Sequence, residues 1–276
     1  MNRRDVIKSA GALSLATLLP SAAAENPPAA SAMRIQRLSW AGIKLQTSKT
    51  TVLIDPWITP ASLGDAWKEP VVPITVETDR RWVLLTHLHN DHFDPAAIRS
   101  VVKESGFAVL ALDSKAAAVG SRGFRVYPVR SFEPVALGDV TMTAVPAVDG
   151  FNETQVSWIV SGGGKRIFHG GDTLWHGSFW AYGRQYGPFD AAFLPINGAK
   201  LKSWEPFSDV EGTMTPKQAV AAAVILGAKL LVPIHYGFND PESYLEHPNA
   251  VGEFEETARA RKQPFRALRP GEWLEI

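Results

Sequence analysis

Between positions 87 and 92 the chain places three of its seven histidines and an aspartate: His87, His89, Asp91 and His92. Four such side chains in one short segment are hard to explain by packing and easy to explain by a bound cation. The apolar run 82–85 leads in as a buried strand. Asp94-Pro95 then opens a helix expected over 95–103, with Asp94 as cap and Pro95 at the first helical position. On a strand end, residues 87 and 89 face one side, so both imidazoles can reach one metal. As the chain turns, Asp91 and His92 swing towards a second position. Two cations held ~3.5–4 Å apart in this way can share a bridging hydroxide, a nucleophile that needs no Ser or Cys. The alternative is a solvated turn that happens to be rich in histidine.

Two later stretches fit the same chemistry. His169-Gly170-Gly171-Asp172-Thr173 follows a strand at 166–168, and its glycines let the backbone approach closely enough for Asp172 to bridge two ions. Pro233-Ile234-His235-Tyr236-Gly237 puts His235 at the C-terminal end of an apolar strand, where α/β folds keep their sites. Alone, each is weak, since Gly-Gly-Asp is a common turn and a lone histidine is usually structural. The chain has no cysteine, so His, Asp and Glu are the side chains left to hold a metal.

The remaining pattern sets the frame. Strand candidates fall at 34–40, 43–46, 51–54, 82–85, 107–112, 124–129, 140–145, 155–160, 166–168, 190–195, 230–234 and 272–276. The first three read as an antiparallel meander, and the proline-rich 55–78 reads as a long ordered loop. Further helices are expected over 215–226, with Thr215 as cap and Gly227 as stop, and over 249–261. Mixed strands and helices in 276 residues, 45% of them hydrophobic, define one large α/β sandwich domain. Basic and acidic side chains balance at 28 each, which leaves no electrostatic footprint for nucleic acid. A small-molecule substrate is the expected partner.

The ordered series Thr-His-Leu-His-Asn-Asp-His-Phe-Asp (86–94), Gly-Gly-Asp-Thr (170–173) and Pro-Ile-His-Tyr-Gly (233–237) resembles the metallo-β-lactamase superfamily. Within it the chain is similar to the branch containing L-ascorbate 6-phosphate lactonase and the N-acyl-phosphatidylethanolamine-hydrolysing phospholipase D. Ile54-Asp55-Pro56, the stretch 187–195 and Met214-Thr215-Pro216 add to the likeness, which covers about 34–276. The resemblance implies a four-layer αβ/βα sandwich with two metals at one edge. His87 and His89 would bind the first, Asp91, His92 and His235 the second, and Asp172 both. Zinc is the first expectation, with manganese or iron as alternatives.

One position departs from the family pattern. A third histidine for the first metal usually follows a Val-Pro-Ala stretch; here the segment reads Val145-Pro146-Ala147-Val148-Asp149. Asp149 is therefore either a carboxylate ligand, which would favour harder ions, or part of a plain turn beside a weakened site. Asp91 is expected to orient the attacking water and return a proton to the leaving group, with a role purely as a ligand as the alternative. His176 and Tyr236 are weaker candidates for facing the substrate, and ordinary packing is the preferred reading of each. The reaction expected is hydrolysis of a small ester, lactone or phosphodiester. The rivals are a β-lactam hydrolase and a metal-binding scaffold without turnover, which the Asp149 position favours.

The N-terminus reads as an address. Arg3-Arg4 with Lys8, a weakly apolar stretch at 11–20 and Ala22-Ala23-Ala24 before Glu25 fit a twin-arginine export signal over 1–24. A linker over 25–33 and a hydrolase domain over 34–276 follow, with the periplasm as the expected destination. The apolar stretch is shorter than the ~20 residues that span a bilayer.

Overall fold

The computed structural model describes residues 33–60, 64, 66–67, 69–102 and 109–276. The expected export signal, and all of the linker but Met33, lie outside the described residues. Ser31–Ile276 forms one compact unit.

The chain begins with an antiparallel meander, β1 (Arg34–Arg37), β2 (Ile43–Gln46) and β3 (Thr50–Ile54). Parallel strands extend the sheet: β4 (Arg80–Leu84), then after α1 (Pro95–Val101) β5 (Val109–Leu112), and after α2 (Asp113–Gly120) β6 (Val126–Val129). A second sheet takes β7 (Pro134–Leu137), β8 (Val140–Pro146), β9 (Val156–Gly162) and β10 (Lys165–His169) in antiparallel order. It continues through α3 (Ser178–Tyr186) to a parallel β11 (Ala191–Pro195). The short β12 (Lys200–Leu201), α4 (Pro216–Leu226), β13 (Leu231–Ile234), β14 (Tyr244–Leu245), α5 (Ala250–Ala260) and β15 (Trp273–Glu275) complete the chain. β13 pairs with β11, β15 closes on β1, and β12 pairs with β14 as a separate ribbon.

Three apolar clusters stack these elements. One joins the inner faces of the two sheets through Ile35, Trp40, Ile54 and Leu84 on one side and Met142, Trp158, Phe193 and Val232 on the other. A second packs α3, α4 and α5 on the outer face of the second sheet. The third packs α1 and α2 on the outer face of the first, against Leu53, Val83 and Val109. Helix, sheet, sheet, helix: this is the four-layer sandwich expected.

Local chemistry sets the helix ends. Thr215 and Gln218 form a reciprocal capping box ahead of α4, and Gly227 closes it at φ 68°. Asp94 caps α1 by accepting from Ala96 and Ala97, and its Oδ2 also accepts from Ile58 N and Thr59 Oγ1. One carboxylate thus fastens the proline-rich segment to the helix. The α1 helix ends earlier than expected, because Val102 already takes an extended conformation, a state that β-branched residues favour. Five elements were not foreseen: α2, β7, α3 and the two-residue strands β12 and β14. The caps of α2 and α3 lack a side-chain hydrogen bond. Gly183 inside α3 looks like a breaker, yet a Cβ there would come within 2.3 Å of Ile225 O, so it is the contact point with α4.

Candidate metal centre

Strand direction gathers the site. β1, β3 and β4 of the first sheet and β8, β10, β11 and β13 of the second run the same way. Their C-terminal ends carry Trp40, Asp55, His87 to His92, Asp149, Asp172, Asn197 and His235. Three of these residues, Trp40 (φ 56°), Asp55 (φ 45°) and His235 (φ 55°), hold left-handed backbone without being glycine. Each such residue costs roughly 1–2 kcal/mol, and strain of this kind persists where surrounding contacts over-determine it. Here it turns each chain segment sharply inward at the end of its strand.

All seven expected ligands converge. His87 Nε2 lies 3.6 Å from Asp172 Oδ2, and His89 Nε2 lies 3.8 Å from Asp149 Oδ2. His92 Nε2 is 3.7 Å from Asp91 Oδ2 and 3.8 Å from Asp172 Oδ2. His235 Nε2 completes the set at 3.5 Å from Asp91 Oδ2 and 3.9 Å from Asp172 Oδ2. Among the described residues these fall into three overlapping groups able to hold a cation: His87, His92 and Asp172; Asp91, His92 and His235; His89, Asp149 and Asp172. Asp172 belongs to two of them, as a bridging carboxylate would.

The supporting contacts fix the imidazoles. Asp55 accepts from Thr86 N at 2.9 Å and from Thr86 Oγ1, and its Oδ2 lies 2.8 Å from His92 Nδ1. His92 Nδ1 therefore carries its hydrogen towards Asp55, leaving Nε2 to face Asp91, Asp172 and His235. Trp40 Nε1 donates to Asp91 Oδ2 at 2.9 Å, and the Trp40 ring packs on His235 at 4.1 Å. His169 is not in any of the three groups. Its Nε2 donates to Ala41 O at 2.9 Å and its Nδ1 accepts from Gly171 N, so it ties the Asp172 turn to the first sheet.

Charge decides whether the arrangement suits a cation. Burial opposes ionisation of Asp172 and Asp91, yet His87, His92 and His235 hold the Asp172 carboxyl below its usual range, and His92 and His235 hold that of Asp91 lower still. Burial likewise opposes a charge on His92, but Asp91, Asp172 and Asp55 outweigh it and lift the ring to about 10. Burial takes His87 down to about 4. Burial and then Asp172 push the Asp149 carboxyl up. Carboxylates thus crowd one buried spot and force a proton onto His92 when nothing else is positive. Asp172 Oδ1 is buried with no hydrogen-bond partner, a costly state unless an ion completes it. The residues fit divalent metal.

Asp149 does two things at once. Its Oδ1 accepts from Phe151 N at 3.0 Å and its Oδ2 from Glu153 N at 2.6 Å, so it is the expected turn residue as well as a neighbour of His89 and Asp172. The two remaining candidates have other partners. Tyr236 accepts from Arg37 Nη1 at 2.8 Å, with the guanidinium 4.5 Å over its ring. His176 stacks on Phe179 at 4.2 Å, and burial lowers its pKa. The sequence reading did not assign Trp40, Thr86 or Asn197 to the site; only Asp55 had a signal, through the Ile54-Asp55-Pro56 turn.

With this geometry in place, the comparisons agree. Residues 50–236 match the Beta-lactamase superfamily domain. A UPF0173 metal-dependent hydrolase of Anoxybacillus flavithermus is 31% identical over 251 residues, 85% of this chain and 96% of that protein. Another from Thermococcus kodakarensis is 29% identical over 256 residues, 88% of this chain and all of that one. Igni18, a metallo hydrolase from Ignicoccus hospitalis, shares the fold with a TM-score of 0.68 at 22% identity, over 89% of this chain and 99% of its own. The chain belongs to the metallo-β-lactamase superfamily, among its UPF0173 metal-dependent hydrolases. No helix of the described residues is long and apolar enough to cross a membrane.

Proposed function

We propose that this chain hydrolyses a small ester, lactone or phosphodiester at a two-metal centre. One ion would be held by His87, His89, Asp149 and Asp172, the other by Asp91, His92, His235 and Asp172. The observation that carries this reading is the convergence of the Asp55, Asp91 and Asp172 carboxylates on buried His92, together with the unpartnered Asp172 Oδ1. Two divalent cations, zinc first and manganese or iron as alternatives, would supply a Lewis acid for the substrate oxygen and make a water acidic enough to attack near neutral pH.

The side chains divide the remaining work. Asp91 keeps part of its surface exposed while Trp40 pins its Oδ2. Its Oδ1 accepts a hydrogen bond from the attacking water, orients it, and passes a proton on to the leaving oxygen. Asp55 and Thr86 keep the ligand histidines in register. Beside Asp149, Phe151 meets Trp204 edge-on at 5.9 Å. Val148, Trp204, Phe207 and Val210 are exposed on the same pair of loops. That rim supports a substrate with an apolar arm, since contiguous exposed apolar side chains commonly serve binding.

The test is elemental analysis of protein purified without added metal, followed by turnover of aryl esters, lactones and bis-p-nitrophenyl phosphate. Two ions per chain and a hydrolysis abolished by chelation or by His89→Ala are expected. Undiminished turnover in metal-free protein, or no turnover on any of these with both ions bound, overturns the reading.

A further inference from the structure

Beyond the candidate ligands, one side chain at the same edge is set up to donate and has no acceptor among the described residues. β12 follows β11 and β14 follows β13, so their ribbon lies past the strand ends that carry Asn197 and His235, with Leu201 opposite Tyr244. Asn197 Nδ2 donates to the Tyr244 hydroxyl oxygen at 2.6 Å, and Thr213 Oγ1 donates to Asn197 Oδ1 at 2.7 Å. Ala199 N donates in turn to Thr213 Oγ1 at 2.8 Å.

The direction of these bonds follows from satisfaction. Thr213 and Asn197 are fully buried. Were the Asn197 amide turned round, Thr213 Oγ1 would accept twice and its own hydrogen would be stranded in the interior, at a cost of about 1–3 kcal/mol. As arranged, the Thr213 hydrogen and one Asn197 amide hydrogen are used, and the hydroxyl hydrogen left over falls on half-buried Tyr244 instead of fully buried Thr213. The Tyr244 oxygen accepts, and its O–H hydrogen finds no acceptor among the described residues. The ring packs on Phe238 at 5.0 Å, and Phe238 meets Trp40, the donor to Asp91, at 6.2 Å. Burial, then the Asp91 and Asp172 carboxylates, raise the hydroxyl well above the phenol range. The phenol is within electrostatic reach of the centre and keeps its proton.

We infer that Tyr244 donates its phenolic hydrogen bond to the leaving oxygen of the substrate, held in place by the Asn197–Thr213 relay. The inference rests on the hydrolytic reading above. As the C–O or P–O bond breaks, its electron pair passes to the leaving oxygen, and the Tyr244 O–H stabilises that charge. The water oxygen forms the new bond. One water proton reaches the leaving oxygen through Asp91 Oδ1, so ester and water give acid and alcohol while Tyr244 keeps its own proton. A fixed donor aimed at developing charge is worth about 10²-fold in rate.

The experiment compares wild-type holoenzyme with Tyr244→Phe and Asn197→Leu on p-nitrophenyl, phenyl and ethyl esters of one acid, with metal content and melting temperature measured alongside. Poorer leaving groups need the donor more. Tyr244→Phe is expected to keep both ions, to melt a few degrees lower because buried Asn197 Nδ2 loses its acceptor, and to lose about 10²-fold on the ethyl ester but only a few-fold on the p-nitrophenyl ester. Asn197→Leu should steepen the leaving-group dependence in the same direction, by less. Equal losses across the series, or no loss, in an active and metal-loaded Tyr244→Phe protein overturns the role of Tyr244 alone. A wild type inactive on every ester, lactone and phosphodiester overturns the hydrolytic reading and this inference with it.

Discussion

Asp55 Oδ2 lies 2.8 Å from His92 Nδ1, and both side chains are completely buried. A carboxylate on the far nitrogen decides which nitrogen of His92 faces the centre, because the donated Nδ1–H leaves Nε2 as the free lone pair. Asp55 also accepts from the backbone and hydroxyl of Thr86, whose Oγ1 is 3.0 Å from His87 Nδ1. One side chain at the end of β3 thereby orients ligands that belong to the end of β4. Asp55→Asn keeps the size and replaces a charged acceptor with a neutral one. Metal affinity, read by competition with a chelating dye, should fall about 10- to 100-fold with the fold retained by circular dichroism. Unchanged affinity would mean that His92 is oriented by something else.

Asp149 stands where the superfamily usually has histidine, and its two turn hydrogen bonds let the roles of ligand and turn be separated. Asp149→Asn retains an oxygen for Phe151 N while removing the negative charge. The amide cannot also accept from Glu153 N, so the metal-free variant should melt a few degrees below wild type, whereas the loaded variant should retain one ion instead of two by elemental analysis. Two ions in the variant would reduce Asp149 to a turn residue. Asp149→His would test something different, because imidazole cannot reproduce both bonds to Phe151 N and Glu153 N.

Gly171 precedes the bridging candidate Asp172 at φ 68°, and a Cβ there would sit 2.5 Å from Gln155 Nε2 and 3.2 Å from Thr86 Cβ. Gly171→Ala combines backbone strain with a clash against two site neighbours. The expected loss is roughly 1–3 kcal/mol of stability, seen by denaturant unfolding, together with weaker metal binding as Asp172 shifts. A variant as stable as the wild type would show that the turn relaxes freely.

The candidate ligands are legible in the sequence because metal chemistry needs rare residue types at fixed spacing. The HxHxDH turn, Asp172 and His235 sit where strands end, and apolar runs mark strand ends well. What aims the ligands was not legible. Trp40 reads as one more core aromatic until its φ of 56° and its bond to Asp91 are known. Asn197 and Tyr244 lie 47 residues apart and meet only because β11 and β13 are neighbours. Long-range pairing of this kind leaves no local pattern. Likewise α3, with glycine at its cap and in its middle, is held by packing on α4 and not by its own propensity.

Glu246 offers a pH test away from the ligands. Its Oε1 accepts from Gly237 N at 2.7 Å, and a Cβ on Gly237 would lie 3.5 Å from Glu69 Cδ, so two carboxylates flank one glycine. Arg37 binds Glu69 at 3.1 Å, whereas Glu246 forms no ion pair among the described residues and feels only the weaker pull of His247. Burial, followed by the Glu69 charge, raises the Glu246 carboxyl from 4.5 to about 7, although the Gly237 N–H pulls the other way. Because the folded pKa exceeds the unfolded one, the folded state binds the proton more tightly. The resulting stabilisation is fully present below about pH 4.5 and is lost as pH rises through about 7. Glu246→Gln keeps an oxygen for Gly237 N and removes the titration. In metal-free protein, the melting temperature of Glu246→Gln relative to wild type should therefore climb between pH 5 and pH 8, since only the wild type acquires a buried negative charge over that interval. A difference that stays constant with pH would mean that Glu246 ionises in the folded protein as it does in the unfolded chain, with water reaching the carboxyl that the surrounding loops enclose.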